Sequence, residues 1–390
     1  MRPVTKSRHH IAFLVNNYLP KVGGVERHVG ALAAELVHHG HRVTVVALDD
    51  EAGDVTENGV RVIRLRRWLR VGDVFSLPVP GATRRISSLL AAEGITVVST
   101  HTRFFPMSFV GIRVARRVAA PVVHTEHGSG FVQGVSALVG AASRLVDRTM
   151  GRWVLRRATI VLGVSEGVVA FVERLAKVRA QVFYNAIDLA PWRAAARHRP
   201  DRFVFIGRLV EGKGWEVLLE AVRLLRAEGG APECSVELFG DGPQRDRLEA
   251  AIAADPVLAR SVHARGHAQP PVLAESLARG ILVNPTTLSE GFQTSLIEAL
   301  AAGSQIVSYD VPGVRMLLDD GAPIRIIDDR TPAGLALAMR RAFEDPLTPY
   351  RADRLERWGW PRRAEEYLEI IGTARSDVPP VGTTRPHAID

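Results

Sequence analysis

Glu290-Gly291-Phe292-Gln293-Thr294-Ser295-Leu296-Ile297-Glu298, followed by Ala-Leu-Ala-Ala-Gly303, decides how this chain folds. It places one carboxylate on a glycine-containing loop and a second just inside a new helix. Thr294 and Ser295 are N-cap candidates, Leu296, Ile297 and Leu300 supply an apolar face, and Gly303 is a natural C-terminal stop. Backbone N–H groups at such a helix start lack intrahelical partners and point toward the loop, where they suit a phosphate. Two acceptor carboxylates flanking that helix end match a ligand with hydroxyls at both ends and phosphate between. A nucleotide-sugar has that shape.

Outward from this stretch, two periodicities alternate along the chain. Short β-branched apolar runs at residues 11–15, 42–47, 60–65, 97–100, 121–124 and 160–164 read as buried strands. Helical patterns lie between them at 25–40, 82–93, 107–119, 135–157 and 167–175. The alternation then begins afresh. Strands are expected at 203–207, 235–239, 262–265, 281–284, 305–308 and 324–327, with helices at 215–228, 244–253, 271–278, 295–302 and 333–343. Such order predicts an α/β protein of two doubly wound, Rossmann-like units with parallel sheets, whose ligands bind beyond the strands' carboxyl ends. We place the first unit at 1–188 and the second at 189–357. A helix within 358–376 crosses back onto the first unit, and the Pro-, Gly- and Thr-rich 377–390 is expected to be a disordered tail.

Composition agrees. At 390 residues the chain is too long for one ordinary core. A hydrophobic content of 46% excludes a disordered chain, while no apolar run reaches the about 18 residues of a spanning helix. The basic start leads through residues 11–15 into Asn16-Asn17, which fits a strand better than a signal peptide. Cys234 is the only cysteine, in keeping with a reducing cytoplasm. The 13 histidines show no ligand spacing with acidic partners, so no structural metal is expected.

Charge is unevenly spread. Residues 1–190 hold 25 Lys and Arg against 14 Asp and Glu, whereas 191–390 hold 25 against 28. Basic clusters fall at Arg64, Arg66 and Arg67, at Arg84-Arg85, and at Arg113 with Arg116-Arg117. Arg144, Arg148, Arg152 and Arg156-Arg157 recur every four residues, which makes one basic helical stripe. A solvated helix face explains that stripe as well as contact with anionic lipid headgroups or a phosphorylated acceptor does. Nucleic acid is not expected, because no aromatic–basic interleaving accompanies the charge.

Four further motifs sit at strand ends. Gly23-Gly24 precedes a helix and lets a phosphate approach the backbone, although it lacks the G-x-G-x-x-G spacing and a plain tight turn also explains it. Phe205-Ile-Gly207-Arg208-Leu-Val-Glu-Gly212-Lys213-Gly214 sets a planar cationic fork and a mobile point charge among three glycines, suited to a diphosphate leaving group. Gly240-Asp241-Gly242-Pro243 is most simply a turn. In His124-Thr-Glu126-His127-Gly128, His127 is favoured over His124 as a ligand contact because Gly128 leaves room beside it.

In this order, over nearly the whole chain, the motifs resemble the family-4 retaining glycosyltransferases of the GT-B fold, in which two Rossmann-like domains face each other across a cleft. The resemblance includes Asn185-Ala-Ile-Asp188, similar to the family's Asn-Gly-Val-Asp entry into the second domain, and the E-x7-E pattern at Glu290 and Glu298. It implies that Arg208 and Lys213, with Gly207, hold a donor diphosphate. Glu290 and the Gly291–Phe292 backbone would take the sugar's hydroxyls. Glu298 would take the ribose, and the Thr294, Ser295 and Leu296 amides would contact phosphate. Gly23, Gly24 and His127 would face the donor from the first domain. Gln293 and Gln305 depart from the family, as do Val314-Arg315-Met316 and Ala186 in place of glycine.

The resemblance further implies transfer of a hexose from a UDP- or GDP-sugar with retained configuration, no metal and no cofactor. The basic first half points to a lipid-linked or phosphorylated cell-envelope glycan precursor as acceptor, and to a cytoplasmic protein peripheral on the inner membrane face. A sugar transferase of secondary metabolism is the alternative, with a glycan or small-molecule acceptor. An epimerase or phosphorylase on the same architecture, or a non-catalytic nucleotide-sugar sensor, would show no acceptor-dependent release of nucleoside diphosphate. A nicotinamide oxidoreductase would need the glycine spacing this chain lacks.

Overall fold

Ile11, Ala12, Phe13 and Leu14 are apolar on both faces and fully buried, as the central strand of a parallel sheet requires. In the computed structural model, which describes residues 8–21, 23–71, 75–131, 137–193, 200–227, 235–288 and 291–376, they form β1 (His10–Leu14). Around it lie β2 (Arg42–Asp49), β3 (Gly53–Glu57), β4 (Val60–Val71), β5 (Phe75–Pro78), β6 (Val97–His101), β7 (Val122–Glu126), β8 (Ile160–Gly163) and β9 (Gln181–Val182). The order is β3-β4-β2-β1-β6-β7-β8-β9, with β5 beside β4. Ile11 is level with Val43 on one side and Val97 on the other, so the strand order reverses at β1.

The second sheet contains β10 (Arg202–Ile206), β11 (Ser235–Phe239), β12 (Val262–Gly266), β13 (Gly280–Asn284), β14 (Gln305–Tyr309) and β15 (Ile324–Ile327). Its order, β12-β11-β10-β13-β14-β15, is parallel throughout and reverses between β10 and β13. Crevices at such reversals, beyond the carboxyl ends of the strands, are where these sheets bind ligands.

The two sheets are joined by a shared apolar core. Val164, Val168 and Phe171 from the first unit belong to one cluster with Leu189, Trp192, Leu282, Phe292 and Leu296. Within it Phe292 stacks on Trp358, with ring centres 5.5 Å apart. The chain then returns to the first sheet as the helix Trp360–Ser376. Tyr367, fully buried there, stacks on Phe13 and donates a hydrogen bond of 2.9 Å to Ser99 Oγ.

Three features differ from expectation. The antiparallel edge formed by β3 and β5 carries no periodic apolar signal, because every residue of β3 is exposed. Arg64 pairs with Glu57 and Arg67 with Asp49, so part of that basic cluster is neutralised. The helix expected at 135–157 is three pieces within the described residues: Ala137–Val146, a π-helical turn Asp147–Gly151, and Arg152–Leu155. The wider turn breaks the four-residue register of the basic stripe and turns Asp147 into the interior.

Truncating Tyr367→Ala leaves a cavity between returning helix and sheet. Urea unfolding should show a loss of about 3–5 kcal/mol, typical of a buried aromatic side chain. A loss below about 1 kcal/mol would mean the helix does not support the first sheet.

Candidate active site

The loop after β10 is held from two sides. Gly207 N–H donates to the Phe239 carbonyl at 3.0 Å, and Leu209 N–H to the Asp241 carbonyl at 2.9 Å. The Gly212 carbonyl accepts from Thr287 N–H at 2.8 Å and from Thr286 Oγ1 at 3.1 Å. Gly214 has φ +86° and lies so close to the Pro285 carbonyl that a Cβ there would stand 2.3 Å from its oxygen. Only glycine meets both conditions. The loop therefore rests on the segment after β13, across the reversal. Arg208 is exposed on it, and the aliphatic stem of Lys213 runs alongside Gly207. The Gly240–Pro243 turn serves this same loop from the other side.

The helix Thr294–Ala302 follows, ending at Gly303 with φ +85°. Its N-cap is Gln293, not Thr294 or Ser295, and no side chain caps it. The Gln293 oxygen instead accepts from Asn284 Nδ2 at 2.8 Å, tying the helix start to the end of β13. Thr294 becomes the first helical residue, and its hydroxyl turns to Glu298 one turn later. Leu296 is fully buried, so only its backbone is available to a ligand, and the same holds for buried Phe292. Burial pushes the Glu298 carboxyl up to about 7, against the opposing pull of Thr294 and of Arg27 on the first unit. Glu290 lies outside the described residues.

The facing wall is built on a buried ion triad that sequence reading did not find. Thr102 takes φ +63°, held by hydrogen bonds from Phe105 N–H and Ser108 Oγ to its carbonyl, and turns Arg103 inward. The guanidinium meets Glu126 at 3.1 Å and Asp147 at 2.9 Å, all three side chains fully buried. Glu126 Oε1 accepts from the N–H groups of His127 and Gly128, each at 3.0 Å, and Oε2 from Arg103 N–H at 2.9 Å. Burial alone would raise the Glu126 pKa, but Arg103, followed by His124 at 3.7 Å and the Arg103 N–H, holds it well below the usual carboxylate range. Asp147 is pushed up by burial despite Arg103. In sequence the three residues lie too far apart to read as a unit.

Glu126 thus fixes the backbone of the His127 loop. His127 Nε2 shares a hydrogen bond of 3.0 Å with His101 Nδ1, and burial lowers the His127 pKa to about 4, so the ring is neutral near pH 7. His124 is fully enclosed, bonded to Thr100 Oγ1 at 2.9 Å, and is a core residue. Gly23 caps the helix Gly24–His38, with the Glu26 carboxylate folded back over it, and Gly24 has open space at its Cβ position.

Among the described residues, two contacts link the walls beside His127. A Cβ on Gly291 would stand 2.5 Å from the His127 carbonyl oxygen, so glycine allows the loop before the helix to lie against the His127 loop. Asn185 accepts from His28 Nδ1 at 3.0 Å and donates to the Phe292 carbonyl at 3.1 Å. His127 and Gly291, and through its loop Phe292 and Thr294, are thereby brought together. The Gly207–Gly214 loop reaches the same region through residues 285–287. Contacts between Gly23 or Gly24 and the second unit are not part of this network.

Two family profiles cover the chain in tandem: Glycosyltransferase Family 4 over residues 22–191 and Glycosyl transferases group 1 over residues 200–345. The chain belongs to glycosyltransferase family 4. Among relatives of this glycosyltransferase, the glycogen synthase of Mycobacterium tuberculosis is 27% identical, covering 86% of each chain. The D-inositol 3-phosphate glycosyltransferase of Thermobispora bispora is 26% identical, covering 72% of each chain. Among solved structures, Anabaena HepE in complex with UDP superposes with a TM-score of 0.71 at 16% identity, over 93% of this chain and all of that one. The two sheets are the two Rossmann-like domains of a GT-B fold. Three residues that depart from the family pattern make local contacts. Gln293 holds Asn284, while buried Gln305 donates to the Ala342 carbonyl at 2.8 Å and Arg315 pairs with Asp310.

Replacing Arg103→Leu leaves two buried carboxylates without their cation. A loss of about 3–5 kcal/mol is expected in denaturant unfolding, the usual cost of breaking a buried pair from one side. Glu298 makes a second prediction. Because its folded pKa is raised from 4.5 to about 7, the folded state holds an extra proton in that window and loses stability as pH rises through it. Thermal melts of Glu298→Gln from pH 4.5 to 8 should show a flatter fall than the parent chain. The half-buried position limits the difference to roughly 1–2 kcal/mol.

Proposed function

We propose that this glycosyltransferase transfers a hexose from a UDP- or GDP-sugar, with retained anomeric configuration and without a metal, to a lipid-linked or phosphorylated acceptor. The observation that carries the reading is the cationic loop of Arg208 and Lys213, laid against the segment that leads into the uncapped helix at Thr294. Cleavage of the bond between anomeric carbon and phosphate oxygen leaves negative charge on the diphosphate. Arg208, Lys213 and the N–H groups of the Thr294–Ala302 helix would stabilise it without rearrangement. The acceptor hydroxyl oxygen forms the new bond to the anomeric carbon, and its proton passes to the departing phosphate.

Glu298 would accept hydrogen bonds from the ribose more strongly when ionised, so donor affinity should rise with pH through the Glu298 titration. Glu290 and the Gly291–Phe292 backbone would hold the sugar. Neutral His127 would offer its ring to a sugar hydroxyl from the opposite wall. Closure of the domains excludes water and limits hydrolysis. The UDP bound by the HepE relative supports a nucleotide donor, and the inositol phosphate named for the Thermobispora relative supports a phosphorylated acceptor.

Contact with an anionic surface is supported by the helix Ala137–Val146. Leu138 is 81% and Leu145 64% exposed, beside exposed Arg144 and Arg148. No helix among the described residues is long and apolar enough to cross a membrane, so attachment would be at the interface.

The deciding experiment is a panel of nucleoside diphosphate sugars offered with phosphorylated acceptors in neutral or anionic vesicles, with the product anomer read by NMR. Expected are acceptor-dependent release of nucleoside diphosphate, a retained anomer, no loss of turnover in EDTA and faster turnover on anionic vesicles. Arg208→Ala and Lys213→Ala should each lower kcat by about 10²–10³. Native rates in both variants would overturn the assignment of the donor site.

A further inference from the structure

Behind the His127 loop, three histidines from separate segments meet. His28 comes from the helix Gly24–His38, His101 from the end of β6, and His127 from the turn after β7. Each offers a ring nitrogen, and the three nitrogens lie within 4.8 Å of one another. The Asn185 amide orientation is set by its own donation to the Phe292 carbonyl, so its oxygen must accept from His28 Nδ1. This leaves His28 Nε2 with a lone pair, buried and without a hydrogen-bond partner among the described residues. His101 Nε2 is likewise occupied, at 3.2 Å from Ser99 Oγ, which turns Nδ1 toward His127.

We propose that His28, His101 and His127 form a three-nitrogen site for a divalent transition ion of the zinc class. Three imidazoles select Zn²⁺, Co²⁺, Ni²⁺ or Cu²⁺ over Mg²⁺ and Ca²⁺, which prefer oxygen. Zinc–nitrogen bonds of about 2.0–2.1 Å set tetrahedral ligand atoms about 3.4 Å apart, so the widest pair closes by about 1.4 Å at most. His101 and His127, at 3.0 Å, already stand near that spacing and share a proton that the ion would replace. Asn185 and Ser99 are the outer hydrogen-bonding partners that metal-bound histidines ordinarily have. Arg363, whose charge reaches His28, is itself paired with Glu366. The ion would take the His127 Nε2 that His101 now shares, fixing the ring and drawing electron density from the nitrogen left for a substrate, so its binding inhibits turnover. That consequence rests on the role given above to His127, whereas the ion site does not.

The test is equilibrium dialysis of the metal-free full-length chain against buffered Zn²⁺, with Co²⁺ absorption as a second probe. Expected are one equivalent of Zn²⁺ per chain and the intense visible bands of four-coordinate Co²⁺. His28→Gln and His101→Gln should each weaken binding by more than the roughly 10–100-fold that loss of an outer hydrogen bond costs. The surface double variant His38→Ala with His39→Ala should bind as the parent does. Wild-type Co²⁺ spectra of six-coordinate form, or undiminished zinc binding in folded His28→Gln, would overturn the site. Should a variant fail to fold, the wild-type cobalt spectrum still decides. Stoichiometric zinc binding at this site with undiminished turnover would instead remove His127 from the reaction.

Discussion

One buried carboxylate holds the first domain's wall of the candidate site in place. Glu126 has no water to solvate its charge, and a lone ion at that depth would be protonated or expelled. It stays ionised because Arg103 lies against it and three backbone N–H groups point at its oxygens. The same contacts dictate where His127 sits. Charge compensation and loop geometry are therefore one constraint, and the π-turn that brings Asp147 to Arg103 completes it.

The second domain solves its half differently. Its cations are not buried, and its loop is shaped by close backbone packing. Gly214 against Pro285, and the Gly212 carbonyl shared by Thr286 and Thr287, connect the strand end that carries Arg208 and Lys213 to the segment leading into the helix Thr294–Ala302. Exposed Arg208 keeps its hydration until an anion arrives, so the desolvation cost falls on the binding step. The buried triad of the first domain meets that cost during folding. Rigidity thus lies on one side of the cleft and adaptable charge on the other.

The two halves meet through small, specific contacts. Gly291 packs against the His127 carbonyl, and Asn185 bonds to both His28 and Phe292. Asn185 belongs to the segment that leads from one domain into the next, so a single amide couples the histidine cluster of the first to the Phe292 loop of the second. An ion held by the cluster would act on the same junction.

Much of this was legible in the primary sequence. The order of strands and helices followed from β-branched runs alternating with amphipathic ones, because buried parallel strands and their covering helices leave different periodicities. Arg208, Lys213, Glu298 and the glycines around them stood out because strand-end loops gather such residues within a few positions. The N-cap was misplaced onto Thr294 and Ser295 because propensity favours them, while Gln293 was claimed by Asn284, a residue on another strand. His127 was legible singly, but the groupings of Arg103 with Glu126 and Asp147, and of His28 with His101 and His127, could not be read. Their sequence separations hold no local pattern, and only the pairing of β6 with β7, together with the helix Gly24–His38 and the π-turn Asp147–Gly151, brings them within bonding distance. Local chemistry, in short, was written along the chain. Long-range pairing of charge and of imidazole was decided by the fold, since each such group is tolerated in the interior only where a distant partner arrives to meet it.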